Sequence, residues 1–210
     1  MIILGVTGGI GSGKSVVLDY LQSSKGAVIC LADETGRQIQ RKGGEAYGPI
    51  VRLFGEEILL ENGELDRPAI SRIVFHDPGR LEELNAIVHP LVERRVLEES
   101  RRAEAEGRDL FVVESAILLE VGYQRFCEEV WYVHAPEEVR LARLQKYRGM
   151  APEAARAVME RQKSEEELKK ACDVTIENGA GLEELYEQID RHCQRLMENG
   201  TVQHSEREQR

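Results

Sequence analysis

A parallel α/β sandwich is the fold this sequence predicts. Three observations point to it: short apolar runs of strand length recur along the chain, helical patterns separate them, and the first run opens directly into a glycine-rich turn and a helix. Strands alternating with helices imply right-handed crossovers and a parallel sheet covered on both faces. With 210 residues, 41% of them apolar, the chain can bury a core as one domain carrying a modest insertion.

Ile2 to Val6 reads as the first strand, followed by the glycine turn and the helix beginning SVVLDYL. Ala27 to Leu31 reads as the second strand. From Asp33 to about Gly107 the pattern is helical almost throughout, with Leu81, Leu84, Val88, Leu91 and Val92 at three- and four-residue spacings. This predicts a helical insertion over 34–107 within a core of 1–33 and 108–198, with Phe54, Phe75 and the leucines between them as its packing residues. Strand character returns at Leu110 to Val113 and at Val130 to Val133. Pro136 then opens a helix beginning PEEVRLARL, and Pro152 opens another over PEAARAVMERQ. The last strand, Val174 to Ile176, precedes a helix from about Leu182 whose apolar positions are Leu182, Leu185, Ile189 and Leu196. The tail over 199–210 has one valine among polar residues, so a single domain over 1–198 with a frayed end is expected.

A net charge of −10 argues against a nucleic-acid partner, which would need a basic face, but not against small anions held in a locally basic cleft. No stretch approaches the roughly 18 to 20 uninterrupted apolar residues of a membrane span, and the opening MIILGVTGG lacks the charged start and long apolar segment of a secretion signal. A cytoplasmic location is expected, with a monomer as the simplest state and a homo-oligomer as the alternative. Cys30, Cys127, Cys172 and Cys193 are scattered without a C-x-x-C pair or a histidine at metal-finger spacing, and read as reduced thiols.

The strongest chemical signal is Gly8-Gly9-Ile10-Gly11-Ser12-Gly13-Lys14-Ser15, which satisfies G-x-x-x-x-G-K-[ST] between a strand and a helix. Glycines there permit positive φ and close approach, so backbone N–H groups can face phosphate oxygens at a helix N-terminus. The pattern predicts an ATP site in which Gly9 and Ile10 line the loop and the N–H groups from Gly11 through Val16 hold the triphosphate. Lys14 would reach the β- and γ-phosphates, and Ser15 would offer its hydroxyl to Mg²⁺. No N-K-x-D segment for guanine and no L-S-G-G-Q stretch of a transporter ATPase is present. Asp33, just past the second strand, lies where open α/β folds bind ligands; it reads either as a base for an attacking hydroxyl or as the N-cap of the next helix.

These residues continue into further short motifs: F-G-E-E-I at Phe54 to Ile58, L-D-R at Leu65 to Arg67, and H-P at His89 and Pro90. They are followed by L-L-E at Leu118 to Glu120, R-L at Arg143 and Leu144, Gln162, and D-V-T-I-E-N at Asp173 to Asn178. In order and spacing the set resembles the dephospho-CoA kinases along nearly the whole chain. The resemblance implies a three-layer P-loop kinase fold with a five-stranded parallel sheet, a helical CoA-binding insertion after the second strand and a lid over about 140–165. It implies transfer of a phosphoryl group from ATP to the 3′-hydroxyl of dephospho-CoA, with ADP and CoA as products and Mg²⁺ accompanying ATP.

On this reading Asp33 matches the acid that faces the acceptor hydroxyl, and Lys14, Asp33 and Arg143 form the catalytic set. Arg140 and Arg143, at i and i+3 near the lid, would offset charge on the transferring group, the alternative being a solvated helix face. Asn178 would meet the adenine of ATP or simply form a turn with its glycine. Arg67, His89 and Leu118 would shape the acceptor pocket, with His89-Pro90 as a helix kink. The sequence departs from the family at Leu31, where the first acid of an Asp-x-Asp is usual, which leaves Glu114 as the candidate second metal ligand. It departs also at Val16, at Ala116 in place of proline, and at Tyr147 in place of a lid arginine, with Arg148 adjacent. A related nucleoside monophosphate or small-molecule kinase, and a nucleotide-dependent switch without an acceptor, are the alternative functions.

Overall fold

The computed structural model describes residues 1–208, and side chains through Glu198. The expected frayed tail over 199–210 therefore falls outside the described side chains, and its last two residues fall outside the described backbone.

Among the described residues, strands and helices alternate: β1 (Ile2–Thr7), α1 (Lys14–Lys25), β2 (Val28–Leu31), α2 (Ala32–Ile39), α3 (Tyr47–Phe54), α4 (Arg67–His76), α5 (Pro78–Ala105) and β3 (Leu110–Glu114). Then come β4 (Glu129–His134), α6 (Glu137–Arg148), α7 (Pro152–Met159), α8 (Glu165–Ala171), β5 (Val174–Glu177) and α9 (Leu182–Glu208). The strand order is β2-β3-β1-β4-β5, with β1 parallel to both β3 and β4, and β4 parallel to β5. A strand between two parallel neighbours and under helices reads as a continuous apolar run, and β3 and the last five residues of β4 are buried throughout. One core joins Leu4 and Val6 of β1, Trp131 and Val133 of β4, and Ile176 of β5 to Val17 and Leu21 of α1 and Leu185 and Ile189 of α9. The centre of the sheet thus holds β1, whose carboxyl end runs into the glycine turn.

The chain divides into two compact units, Met1–Cys30 with Arg102–Arg210, and Leu31–Arg101. The second unit is helical and has a small core of its own, with Ile50, Phe54, Ile58, Leu65 and Ile70 buried. Polar contacts add to that core. The α4 N-cap Asp66 accepts from the Ala69 N–H at 3.0 Å, Tyr47 donates to the Gly63 carbonyl at 2.5 Å, and Glu45 binds both Arg94 and Arg95 of α5.

Several expectations change. Phe75 is 71% exposed and lies edge-on to His76, so it is not a core residue; Ile70 is the buried apolar residue of that helix. α5 runs through Pro90 without interruption. Between α3 and α4 the chain forms a short 3-10 turn, Glu56–Ile58, and an antiparallel bridge between Leu59 and Leu65 that the helical pattern did not anticipate. Pro136 is the N-cap of α6 rather than its first residue, and α7 ends at Met159, which leaves Gln162 on the connection to α8. α8 itself was missed although its capping box is written in the sequence: the Ser164 hydroxyl accepts from the Glu167 N–H, and the Glu167 carboxylate accepts from the Ser164 N–H.

Candidate phosphate-binding site

The glycine turn leads directly into α1. Gly13 is the N-cap of α1 at φ 89°, a left-handed position with no side chain to satisfy the first helical N–H groups. Close approach explains Gly8: a Cβ there would stand 2.6 Å from the Val133 carbonyl oxygen. The loop also narrows its own donor set. The Ser12 N–H donates to the Gly9 carbonyl at 3.2 Å and the Val16 N–H to the Gly13 carbonyl at 3.1 Å, so the expected series from Gly11 through Val16 is reduced to Gly11, Gly13, Lys14 and Ser15. Ser15 is exposed at the helix start. The Ser12 hydroxyl is buried and, among the described residues, without a hydrogen-bond partner.

Lys14 is held back from solvent. Its ammonium donates to the Gly8 carbonyl at 2.7 Å and stands 3.5 Å from the Glu114 carboxylate at the end of β3. The carboxylate and the loop carbonyl together fix the lysine over the glycine turn.

Four side chains from later in the chain close on the same turn. Arg140 Nε donates to the Ile10 carbonyl at 2.8 Å. Arg143 Nη1 donates to the Ser12 carbonyl at 3.2 Å, while its Nη2 donates to the Asn178 backbone carbonyl at 2.8 Å and to Asn178 Oδ1 at 3.3 Å. Asn178 Nδ2 donates to the Ser12 carbonyl at 2.8 Å. Gln162 Oε1 accepts from the Ile10 N–H at 2.9 Å. The i, i+3 spacing of the two arginines therefore directs one face of α6 at the loop, and neither belongs to a solvated face.

Asn178 is buried just past β5, with its own N–H on the His134 carbonyl, and its carboxamide is engaged with the loop and with Arg143. Gln162 stands among the family motifs without a role, and nothing in its local pattern assigns one. His134 was also missed: it is buried at the end of β4, with Nδ1 2.5 Å from Glu177 and Nε2 3.1 Å from Glu165, tying α8 to the sheet edge. On the same strand burial pushes the Tyr132 hydroxyl up to about 12.

Not every expected residue reaches a site. Leu118 is fully buried beneath β1, where a Cβ on Gly5 would meet its Cδ1 at 3.1 Å, so it is a core residue and not a pocket wall. Tyr147 is 73% exposed and its ring faces the Lys146 ammonium. In the helical unit, Asp33 lies inside the first turn of α2 and the N-cap is Leu31, which removes the capping role for Asp33. Arg67, at the start of α4, donates to the Arg37 carbonyl at 3.1 Å. His89 is half-buried on α5, and that burial lowers its pKa. Among the described residues no cluster of three or more acidic, histidine or cysteine side chains could hold a metal by itself, and no helix is long and apolar enough to cross a membrane.

Residues 2–184 match the family model described as dephospho-CoA kinase. The dephospho-CoA kinase of Symbiobacterium thermophilum is 38% identical over 190 residues, covering 90% of this chain and 79% of that protein. The dephospho-CoA kinase of Carboxydothermus hydrogenoformans is 37% identical over 187 residues, covering 89% and 90%. Among solved structures, a Thermus thermophilus protein superposes with a TM-score of 0.80 at 35% identity over 93% of this chain and 97% of that one. The dephospho-CoA kinase from Campylobacter jejuni, at 23% identity and a TM-score of 0.67 over 94% and 98%, shares the fold.

Proposed function

The chain belongs to the dephospho-CoA kinase family, and from that premise we propose that it transfers the γ-phosphoryl group of ATP to the 3′-hydroxyl of dephospho-CoA, giving CoA and ADP, the last step of coenzyme A synthesis. The observation that carries the phosphotransfer half is the uncapped start of α1 with Lys14, Arg140 and Arg143 converging on one turn. Three fixed cations and the spare N–H groups of Gly11, Gly13, Lys14 and Ser15 suit a polyphosphate and little else of that size.

In the reaction Lys14 leaves the Gly8 carbonyl for the phosphate oxygens, exchanging a neutral acceptor for a charged one. Arg143, braced by Asn178, offsets the charge that spreads over the transferring group, and Arg140 helps hold the phosphates. Asp33 takes the proton of the acceptor hydroxyl as that oxygen bonds to the γ-phosphorus, and ADP departs with the electron pair of the broken P–O bond. Arg67 and His89 belong to the acceptor side. Ser15 and Glu114 would hold Mg²⁺ brought with ATP, which offsets phosphate charge; one hydroxyl and one carboxylate suit an ion that keeps most of its waters and phosphate ligands. Glu114 stands 3.5 Å from the Lys14 ammonium, so its carboxylate is already at the phosphate side. Cys30, Cys127, Cys172 and Cys193 as thiols suit a reducing cytoplasm.

The test is ADP release from Mg-ATP with a panel of acceptors. Dephospho-CoA should turn over well above AMP, CMP and shikimate; equal or greater turnover with one of those would move the chain to a related small-molecule kinase. ATP binding without acceptor-stimulated ADP release would instead make it a nucleotide switch.

A further inference from the structure

We propose that Gln162 is a nucleotide-contacting residue that bridges the glycine turn and the phosphate chain, accepting from the turn with its oxygen and donating to a phosphate oxygen with its amide nitrogen. The inference rests on the ATP site proposed above and adds a residue to which neither the glycine motif nor the arginine spacing points.

The geometry fixes how the carboxamide is oriented. Ile10 presents an N–H, which can only donate, so the group 2.9 Å away must be the oxygen of Gln162. That leaves Nε2 facing away from this bond, and among the described residues it has no protein partner. Ile10 is thereby held from both sides, its N–H by Gln162 and its carbonyl by Arg140 at 2.8 Å. Gly9 makes room for this. A Cβ there would stand 2.6 Å from Arg140 Nη2 and 3.1 Å from Gln162 Oε1, so both side chains lie against the bare Cα of the turn. A half-buried carboxamide with one end fixed and two unpaired N–H donors, beside a guanidinium and an uncapped helix start, is arranged for an anionic oxygen.

Gln162 also has no other structural employment. It follows the end of α7 and precedes the Ser164 cap of α8, so neither helix depends on its side chain.

The experiment compares Gln162→Met and Gln162→Glu with the wild type by calorimetric titration of Mg-ATP, with thermal unfolding of the nucleotide-free proteins alongside. Methionine keeps the length and loses both hydrogen bonds. Glutamate keeps an acceptor for Ile10 but replaces the donor with a negative charge. The bridge predicts that both variants lose about tenfold or more in ATP affinity, glutamate the more, with the glutamate variant melting like the wild type. Glutamate binding ATP as the wild type does would reduce Gln162 to a brace for the turn and overturn the bridge. Methionine binding as tightly as the wild type, or more tightly, would overturn it too, because the side chain would then only occupy a donor that the nucleotide wants. A wild-type protein that fails to bind Mg-ATP would show in the first titration and would bring down the ATP site itself.

Discussion

The sheet unit and the helical unit hold their candidate residues in opposite ways. In the sheet unit the candidate groups are backbone atoms of one turn, and Lys14, Arg140, Arg143, Gln162 and Asn178 are each fixed to that turn by a hydrogen bond. In the helical unit Asp33, Arg67 and His89 each stand on a separate helix, α2, α4 and α5, over a small core. A site made of backbone demands a particular glycine pattern and shows in sequence as a motif. A site made of side chains on separate helices leaves only scattered polar residues, each of which also reads as an ordinary surface or cap position.

The largest expected effect tests the sheet side. Lys14→Ala should lower kcat/KM for ATP by about 10³-fold or more, since it removes a preorganised charge from the phosphates; retention within tenfold of wild type would detach the lysine from the chemistry. On the helical side, Asp33→Asn should lower kcat by roughly 10² to 10⁴-fold with little change in KM for dephospho-CoA, as expected of a proton acceptor used in the transition state. An unchanged kcat would leave that helix without a catalytic residue, and the contrast between the units would become one between a site and a scaffold.

Smaller effects probe how each unit is held. Ile50→Ala, at a fully buried position of the helical unit, should cost about 2–5 kcal/mol by urea unfolding, whereas Phe75→Ala should change stability by less than about 0.5 kcal/mol. A large loss at Phe75 would show that this exposed ring packs in solution. Asn178→Ala should raise KM for ATP about tenfold, because Ser12 loses one carbonyl partner and Arg143 loses the Oδ1 brace.

The smallest effect is electrostatic. Burial lowers the pKa of His89, so the folded state favours the neutral ring. The stability this contributes is present above the unfolded value of about 6.5 and is lost as the pH falls below it toward the folded value. Proton NMR of the ring should give a midpoint below that of an exposed histidine, and His89→Asn should flatten the fall in urea midpoint between neutral and mildly acidic pH.

Sequence by itself determined the strand-loop-helix that opens the chain, the parallel α/β class, the glycine turn and the family, because short-range periodicity and glycine conformational demands are local properties. It also carried the capping box of α8 in plain sight. Only the tertiary structure decided that Leu118 is core, that Phe75 is not, that Leu31 and not Asp33 precedes the first helical residue of α2, and that Asn178 and Gln162 turn onto the loop. Each of those outcomes depends on which distant backbone a side chain meets: Gln162 and Ile10 are 152 residues apart, and Asn178 and Ser12 are 166 apart. A helical or polar pattern fixes the direction in which a residue points from its own element and carries no information about what will stand there once the chain has folded.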